Sequence, residues 1–205
     1  MKELFAKIIS LVFHPNLIPI YALLFIFNIN TYVSIILPFT AKMLLFFIFF
    51  FSTVVIPFVI YLILKRKQII ANMYMENKED RIYPYLVNSL IYYIVYRMLL
   101  STHLPGIYST LLLGSCIISI IILILNFKIK ISVHMAGAGG LTGFFAGFSN
   151  IMNLNLLLPV CGTIFLSGII AYARMKLKSH TSTEIYFGYL IGLSVFLILT
   201  LFKIN

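Results

Sequence analysis

Apolar residues fill most of this chain in long stretches that are separated by short polar breaks. A helix needs about 20 consecutive, mostly apolar residues to cross a bilayer. The stretches therefore predict membrane-spanning helices, and the chain is long enough for six or seven of them. The predicted spans are residues 8–29, 41–64, 84–100, 106–127, 134–150, 155–173 and 184–203.

The composition agrees with this pattern, since 62% of the 205 residues are hydrophobic and only 10% are charged. We expect an all-α, polytopic transmembrane helix bundle that forms a single integral membrane domain over residues 1–205. Such a chain has no soluble surface on which nucleic acid could bind. Its partners should be membrane lipids, and its function should depend on short loops and helix ends.

The charged residues are distributed unevenly over the two sides of the predicted bundle. Fifteen Lys and Arg against five Asp and Glu give a formal net charge of +10. Most of these cations fall on the side that holds the N-terminus, and only Lys42, Arg97 and Lys203 lie on or toward the other side. By the positive-inside rule the first side is cytoplasmic. The location we expect is the inner (cytoplasmic) membrane of a bacterial cell.

Three polar breaks fall on that same side and carry the candidate chemistry. They are residues 77–84 (NKEDRIYP), 130–134 (KISVH) and 173–184 (ARMKLKSHTSTE). Two predicted spans separate each break from the next, so the chain should return to one membrane surface each time. The residues in these breaks that could bind or process an anion are Lys78, Arg81, Lys130, Ser132, His134, Arg174, His180 and Glu184.

The third break could hold a nucleophile. Glu184 follows His180 by four residues, so its carboxylate can reach the imidazole if the last helix begins near His180. A carboxylate bound to one ring nitrogen fixes the tautomer and raises the basicity of the other nitrogen, which suits attack on phosphorus. Arg174 supplies a planar pair of donors for phosphate oxygens. The same residues are also compatible with a helix cap and with headgroup anchors.

The second break should contribute a proton donor and further contacts to the anion. His134 begins a glycine-rich stretch, where the N-terminus of a helix favours a bound anion. Its imidazole could protonate a leaving oxygen. Lys130 and Ser132 could donate hydrogen bonds to the same anion. The first break adds two cations, Lys78 and Arg81. Together these groups predict a phosphate site.

The glycine-rich stretch also predicts close helix packing. Gly139, Gly143 and Gly147 are spaced by four residues, and small residues at this spacing let a neighbouring helix backbone approach closely in a membrane. Such packing would hold the adjacent His134 rigidly.

Two other histidines lie apart from the three breaks. His14 precedes Pro15 near the start of the first span, and we expect it to be a hydrogen-bonded residue at a helix end. His103 lies in a loop on the other side of the bundle, and we expect it to be solvated.

The third break resembles a signature of the type 2 phosphatidic acid phosphatase (PAP2) superfamily of membrane lipid phosphatases, which also includes the vanadium haloperoxidases. That signature reads Ser-Arg, five residues, His, three residues, Asp. Arg174, His180 and Glu184 match its spacing throughout, with Ala173 in place of Ser and Glu in place of Asp. The other two signatures are a lysine and Arg-Pro block and a Pro-Ser-Gly-His block. Their counterparts are Arg81 with Pro84, and Ser132 with His134.

The resemblance implies a phosphatase core over residues of about 77–192 and assigns a role to each matching residue. The family's third-block histidine is a nucleophile that forms a phosphohistidine, and the acidic residue orients it; these are His180 and Glu184. The second-block histidine, His134, protonates the leaving group, while Arg81 and Arg174 hold phosphate oxygens. The family needs no metal or other cofactor. The expected substrate is a lipid phosphate or diphosphate.

Two other functions are considered against this one. A non-catalytic protein that binds or transports anionic lipids would need the cations. The first block favours it, because Pro84 lies three residues after Arg81 rather than next to it. It would not need a nucleophile, an orienting carboxylate and a proton donor together. A prenyltransferase would bind diphosphate through Mg²⁺ and an Asp-rich pair, whereas the five acidic residues here are scattered. The lipid phosphatase is therefore the interpretation we prefer.

Overall fold

The structure is a computed structural model that describes residues 2–70 and 79–203. Within these two ranges all regular secondary structure is helical, which confirms the predicted all-α class. Pro15–Leu17 and Glu79–Arg81 are 3₁₀ turns, and Phe51–Val55 is a π-helical turn. The α-helices are α1 Lys2–Val12, α2 Ile18–Asn28, α3 Tyr32–Ile35, α4 Phe39–Phe50, α5 Ile56–Arg66, α6 Ile82–Leu100, α7 Gly106–Asn126, α8 Val133–Ile151, α9 Leu157–Lys176 and α10 Ser182–Lys203.

Five helical segments in the described part of the chain are long and apolar enough to cross a membrane. These helices indicate an integral membrane protein. α6 and α8 coincide with two further predicted spans, 84–100 and 134–150, so the expected total of six or seven stays a prediction. The five segments are Glu3–Asn28, Phe39–Arg66, Gly106–Asn126, Leu157–Lys176 and Ser182–Phe202.

The predicted span over residues 8–29 corresponds to the helical segment Glu3–Asn28, which begins earlier and contains a break. Helix α1 already begins at Lys2, and the helix is interrupted at His14, whose backbone is extended (φ −62°, ψ 136°). Pro15 explains the interruption, because its ring disfavours a helical conformation in the residue before it. The 3₁₀ turn then leads into α2.

The described chain forms two units, residues 19–123 and residues 1–18 with 124–205. In the unit of residues 19–123, the hydroxyl of Tyr108 on α7 donates to the carbonyl of Val33 on α3 at 2.7 Å. The thiol of Cys116 on α7 donates to the carbonyl of Ser89 on α6 at 3.2 Å. Arg81 is buried in the 3₁₀ turn that precedes α6.

In the other unit, α8 packs against both α9 and α10, and α1 packs against α9. Glycines let the backbones of α8 and α10 touch. A Cβ atom on Gly143 of α8 would collide with the carbonyl of Leu193, and one on Gly192 of α10 would collide with the carbonyl of Ala136. The predicted close approach of a neighbouring helix is confirmed.

The glycine contacts also show that α8 and α10 run in the same direction. Gly188, near the start of α10, faces the carbonyl of Ser132 at the start of α8, and Gly147, near the end of α8, faces Thr200. The beginnings of the two helices therefore lie side by side. The amide of Ser132 donates to the carbonyl of Glu184 at 3.2 Å across this junction, so the second and third polar breaks meet.

We predict that Gly192→Ala destabilises the protein by about 1–3 kcal/mol, the usual cost of overpacking a tight contact. The matched control is Gly162→Ala on α9, where a Cβ would meet nothing within 4 Å; it should be neutral or slightly stabilising because Ala favours a helix over Gly. Thermal unfolding in detergent measures both. Equal melting temperatures for the two variants would contradict the backbone contact.

Candidate functional site

The third polar break holds a short hydrogen bond between an imidazole and a carboxylate. Nδ1 of His180 lies 2.7 Å from Oε2 of Glu184, and the side chains are 3% and 17% exposed. The ionised carboxylate can only accept a hydrogen bond, so Nδ1 carries the proton and neutral His180 has its lone pair on Nε2. The predicted contact of His180 and Glu184 is present, and it leaves Nε2 as the nitrogen that could act as a nucleophile.

The same carboxylate caps the last helix. Oε2 of Glu184 accepts from the backbone amide of Thr181 at 3.3 Å, and the hydroxyl of Thr181 accepts from the amide of Glu184 at 3.5 Å. These reciprocal bonds form a capping box, which the sequence Thr-x-x-Glu before an apolar run could have indicated. The helix cap and the histidine contact are therefore not alternatives, because one carboxylate makes both.

His134 lies in the first turn of α8, as predicted, and its imidazole bonds to the end of α1. Its Nε2 lies 3.0 Å from the backbone carbonyl oxygen of Ser10. A carbonyl can only accept, so Nε2 donates and Nδ1 is the nitrogen that remains for proton transfer.

Ser132 precedes α8 at the N-cap position and is fully buried. A serine here usually bonds to an amide of the first helical turn, yet its side chain makes no cap hydrogen bond. Its buried hydroxyl has no hydrogen-bond partner in the structure. This unused donor at a helix N-terminus agrees with the predicted role of Ser132 as an anion ligand.

Arg174 lies in the last turn of α9 and points its guanidinium toward the end of α1. Its Nη1 donates to the hydroxyl of Ser10 at 3.4 Å. His134 is close enough to both Arg174 and His180 to interact with them electrostatically. The second and third breaks therefore contribute to one cluster, in which the guanidinium of Arg174 can donate hydrogen bonds to an anion.

The end of α1 is the part of this cluster that the sequence pattern does not indicate. The rings of His14 and His134 meet edge to face, with centroids 5.6 Å apart and an interplanar angle of 79°. Nδ1 of His14 accepts from the amide of Asn16 at 3.3 Å, which confirms the expected hydrogen-bonded helix-end residue. The only local cue was Pro15, which ends the helix but does not say what it packs against.

The three remaining predicted ligands are Lys130, Arg81 and Lys78. Lys130 is half-buried in the loop that leads to Ser132. Arg81 belongs to the unit of residues 19–123, where it is 5% exposed. Lys78 lies outside the described residues. A phosphate-binding role for Lys130, Arg81 and Lys78 stays a prediction.

The chain matches no protein-family model, no curated protein and no solved structure. The resemblance to the type 2 phosphatidic acid phosphatases consequently rests on short blocks of residues. Two of these blocks, Ser132 with His134 and Arg174 with His180 and Glu184, lie in the same unit.

We predict opposite tautomers for the two clustered histidines. In their neutral forms, His134 should carry its proton on Nε2 and His180 should carry it on Nδ1, because their partners can only accept. The ¹⁵N shifts of histidine-labelled protein in detergent distinguish the two tautomers. With four histidines in the chain, single His→Asn variants assign each signal. The same tautomer at both positions would rule out one of the two hydrogen bonds.

Proposed function

We propose that this chain is a divergent member of the type 2 phosphatidic acid phosphatase superfamily, a membrane-embedded enzyme that hydrolyses a lipid phosphate or diphosphate through a phosphohistidine. The observation that carries the proposal is the buried pair of His180 and Glu184 beside Arg174 and His134. Binding an anion requires cations and donors alone. An imidazole whose tautomer is set by a carboxylate, next to a second imidazole, is instead an arrangement suited to covalent catalysis.

In the first step, Nε2 of His180 attacks phosphorus and the bond from phosphorus to the lipid oxygen breaks. The imidazole becomes positively charged, and the carboxylate of Glu184, 2.7 Å from Nδ1, stabilises this charge. His134 enters this step as the imidazolium, a form that the negative charge of the bound phosphate favours. Its Nδ1 gives a proton to the departing lipid oxygen, while Nε2 stays bonded to the carbonyl of Ser10. The lipid alcohol, or lipid monophosphate, leaves.

In the second step, water attacks the phosphohistidine. Nδ1 of His134 is now deprotonated and takes a proton from the water as its oxygen bonds to phosphorus. The bond from phosphorus to Nε2 of His180 breaks, and inorganic phosphate leaves. Both histidines return to their starting protonation states, so the cycle is balanced.

Charge stabilisation comes from three groups around the phosphoryl position. Arg174 supplies the guanidinium, Ser132 supplies the hydroxyl without a hydrogen-bond partner, and the N-terminus of α8 supplies backbone amides and the positive end of its dipole. Groups that are held in place before the reaction stabilise the extra negative charge of the transition state most effectively. The backbone contact of α8 and α10 holds this end of α8 in place.

The surrounding helices favour a lipid substrate. Exposed apolar side chains cover the outer surface of α9 and α10, including Phe165, Leu158 and Tyr186. A lipid whose chains stay in the bilayer could present its headgroup to the helix ends from the side. Polyprenyl diphosphates, phosphatidic acid and phosphatidylglycerol phosphate all have the required headgroup chemistry.

We predict that purified protein in detergent releases phosphate from a lipid phosphate or diphosphate in the presence of EDTA. His180→Ala should abolish release because the nucleophile is lost. His134→Ala should slow release by about 10²–10⁴-fold, the usual contribution of a general acid. His103→Ala, at an exposed loop residue, is the matched control and should keep wild-type activity.

A panel of lipid phosphates and diphosphates separates this proposal from its alternative. Release that is lost in His180→Ala supports the phosphatase and identifies the substrate class. Wild-type protein that binds these lipids but releases no phosphate would instead support a lipid-binding or transport protein. Activity in His180→Ala equal to that of the wild type would falsify the assigned nucleophile.

We predict that Glu184→Gln lowers kcat by up to about 10⁴-fold, the loss that follows when the carboxylate that sets the tautomer of a catalytic histidine becomes an amide. Gln can still complete a capping box, so the last helix should begin normally and the melting temperature should change little. Phosphate release and thermal unfolding measure the two effects. Full activity in this variant would show that Glu184 acts only as a helix cap.

A further inference from the structure

Ser10, near the end of α1, contacts two groups of the cluster at once. Its hydroxyl accepts from Nη1 of Arg174 at 3.4 Å, and its backbone carbonyl accepts from Nε2 of His134 at 3.0 Å. In the proposed mechanism, Arg174 binds the phosphoryl group and His134 transfers the proton. One residue thus touches both the anion-binding cation and the proton donor.

The local sequence explains why the carbonyl of Ser10 is available. In a continuous helix this carbonyl would accept from the amide of His14, four residues on. Pro15 interrupts the helix, and the amide of His14 donates to the carbonyl of Leu11 instead, at 3.3 Å. The carbonyl of Ser10 is therefore one of the acceptors that a helix end leaves without a backbone partner. The imidazole of His134 occupies it.

The end of α1 is also held firmly against the helices of the site. Ile9 on α1 and Phe13, just after α1, pack against the buried cluster of Met135, Ile170 and Ile185. These three residues belong to α8, α9 and α10, which carry His134, Arg174 and Glu184. Movement of Ser10 relative to the site would therefore require the apolar cluster to separate.

From these contacts we infer that Ser10 is a positioning residue that sets the separation between Arg174 and His134. The inference rests on the proposed phosphatase function. The hydroxyl aligns the guanidinium for the phosphate oxygens, and the carbonyl holds His134 so that Nδ1 faces the reaction. The two contacts come from different parts of the residue, so a change of side chain affects the first and leaves the second.

Because one contact comes from the side chain and the other from the backbone, Ser10→Ala should have a specific kinetic signature. The variant loses the hydroxyl beside Arg174 but keeps the carbonyl beside His134. We expect KM for the lipid phosphate to rise by about three- to tenfold, the effect of losing one long hydrogen bond from a cation. The kcat should stay within about twofold of the wild type. Ala is also the better helix former, so the variant should fold.

Two further variants distinguish positioning from a general structural effect. Ser10→Thr keeps a hydroxyl and should restore KM to within about twofold of the wild type. Ser115→Ala is the matched control, because it removes a helical serine hydroxyl that donates at 2.9 Å to the carbonyl of Leu111 within α7. It should leave KM and kcat unchanged.

A binding measurement tests the inference without turnover. Inorganic phosphate is titrated into histidine-labelled protein, and the ¹⁵N shifts of His134 and His180 report its binding. Ser10→Ala should weaken phosphate binding by about the same three- to tenfold factor, and Ser10→Thr should restore it. The tautomer of His134 should be the same in all three proteins because the carbonyl is present in each.

The outcomes separate the two proposals. An active wild type whose KM and phosphate affinity are unchanged in Ser10→Ala overturns the role of Ser10 and leaves the phosphatase standing. A wild type that binds phosphate but hydrolyses no lipid overturns the phosphatase, and the affinities of the Ala and Thr variants still decide the role of Ser10. A wild type that binds no phosphate overturns both.

Discussion

The contact between the backbones of α8 and α10 is the constraint on which the rest of the site depends. Lipid tails are as apolar as the side chains of a helix, so helices in a membrane associate through close van der Waals packing rather than through the hydrophobic effect. Gly143 and Gly192 permit this approach because any side chain there would meet a carbonyl of the other helix. The parallel course of α8 and α10 then places Ser132 against Glu184.

Glu184 caps the last helix and also bonds to a histidine of the cluster. Its carboxylate bonds to the amide of Thr181 and to Nδ1 of His180, and a negative charge is favoured at a helix N-terminus. The position of the imidazole is consequently set by the beginning of α10 itself. Since α10 is held against α8, His180 and the first turn of α8, which includes His134, are positioned by the same pair of helices.

The end of α1 completes the cluster through a break in its helix. Pro15 prevents the carbonyl of Ser10 from accepting from the amide of His14, and the carbonyl bonds to His134 instead. The proline thus leaves the carbonyl of Ser10 as an acceptor, and His134, which is far away in the sequence, bonds to it. The tautomers predicted for His134 and His180 differ because the first is bonded through Nε2 and the second through Nδ1.

Local patterns were sufficient for the helices and for the pair of His180 and Glu184. Apolar length determines where a helix can cross a bilayer, and a separation of four residues brings two side chains together near a helix start. The break within the first span was not predicted, because the apolar run continues across Pro15. Only the tertiary structure decided that Ser10 meets both Arg174 and His134. Residues so far apart in the chain meet through helix packing, and no periodicity in the sequence records which helix faces become neighbours.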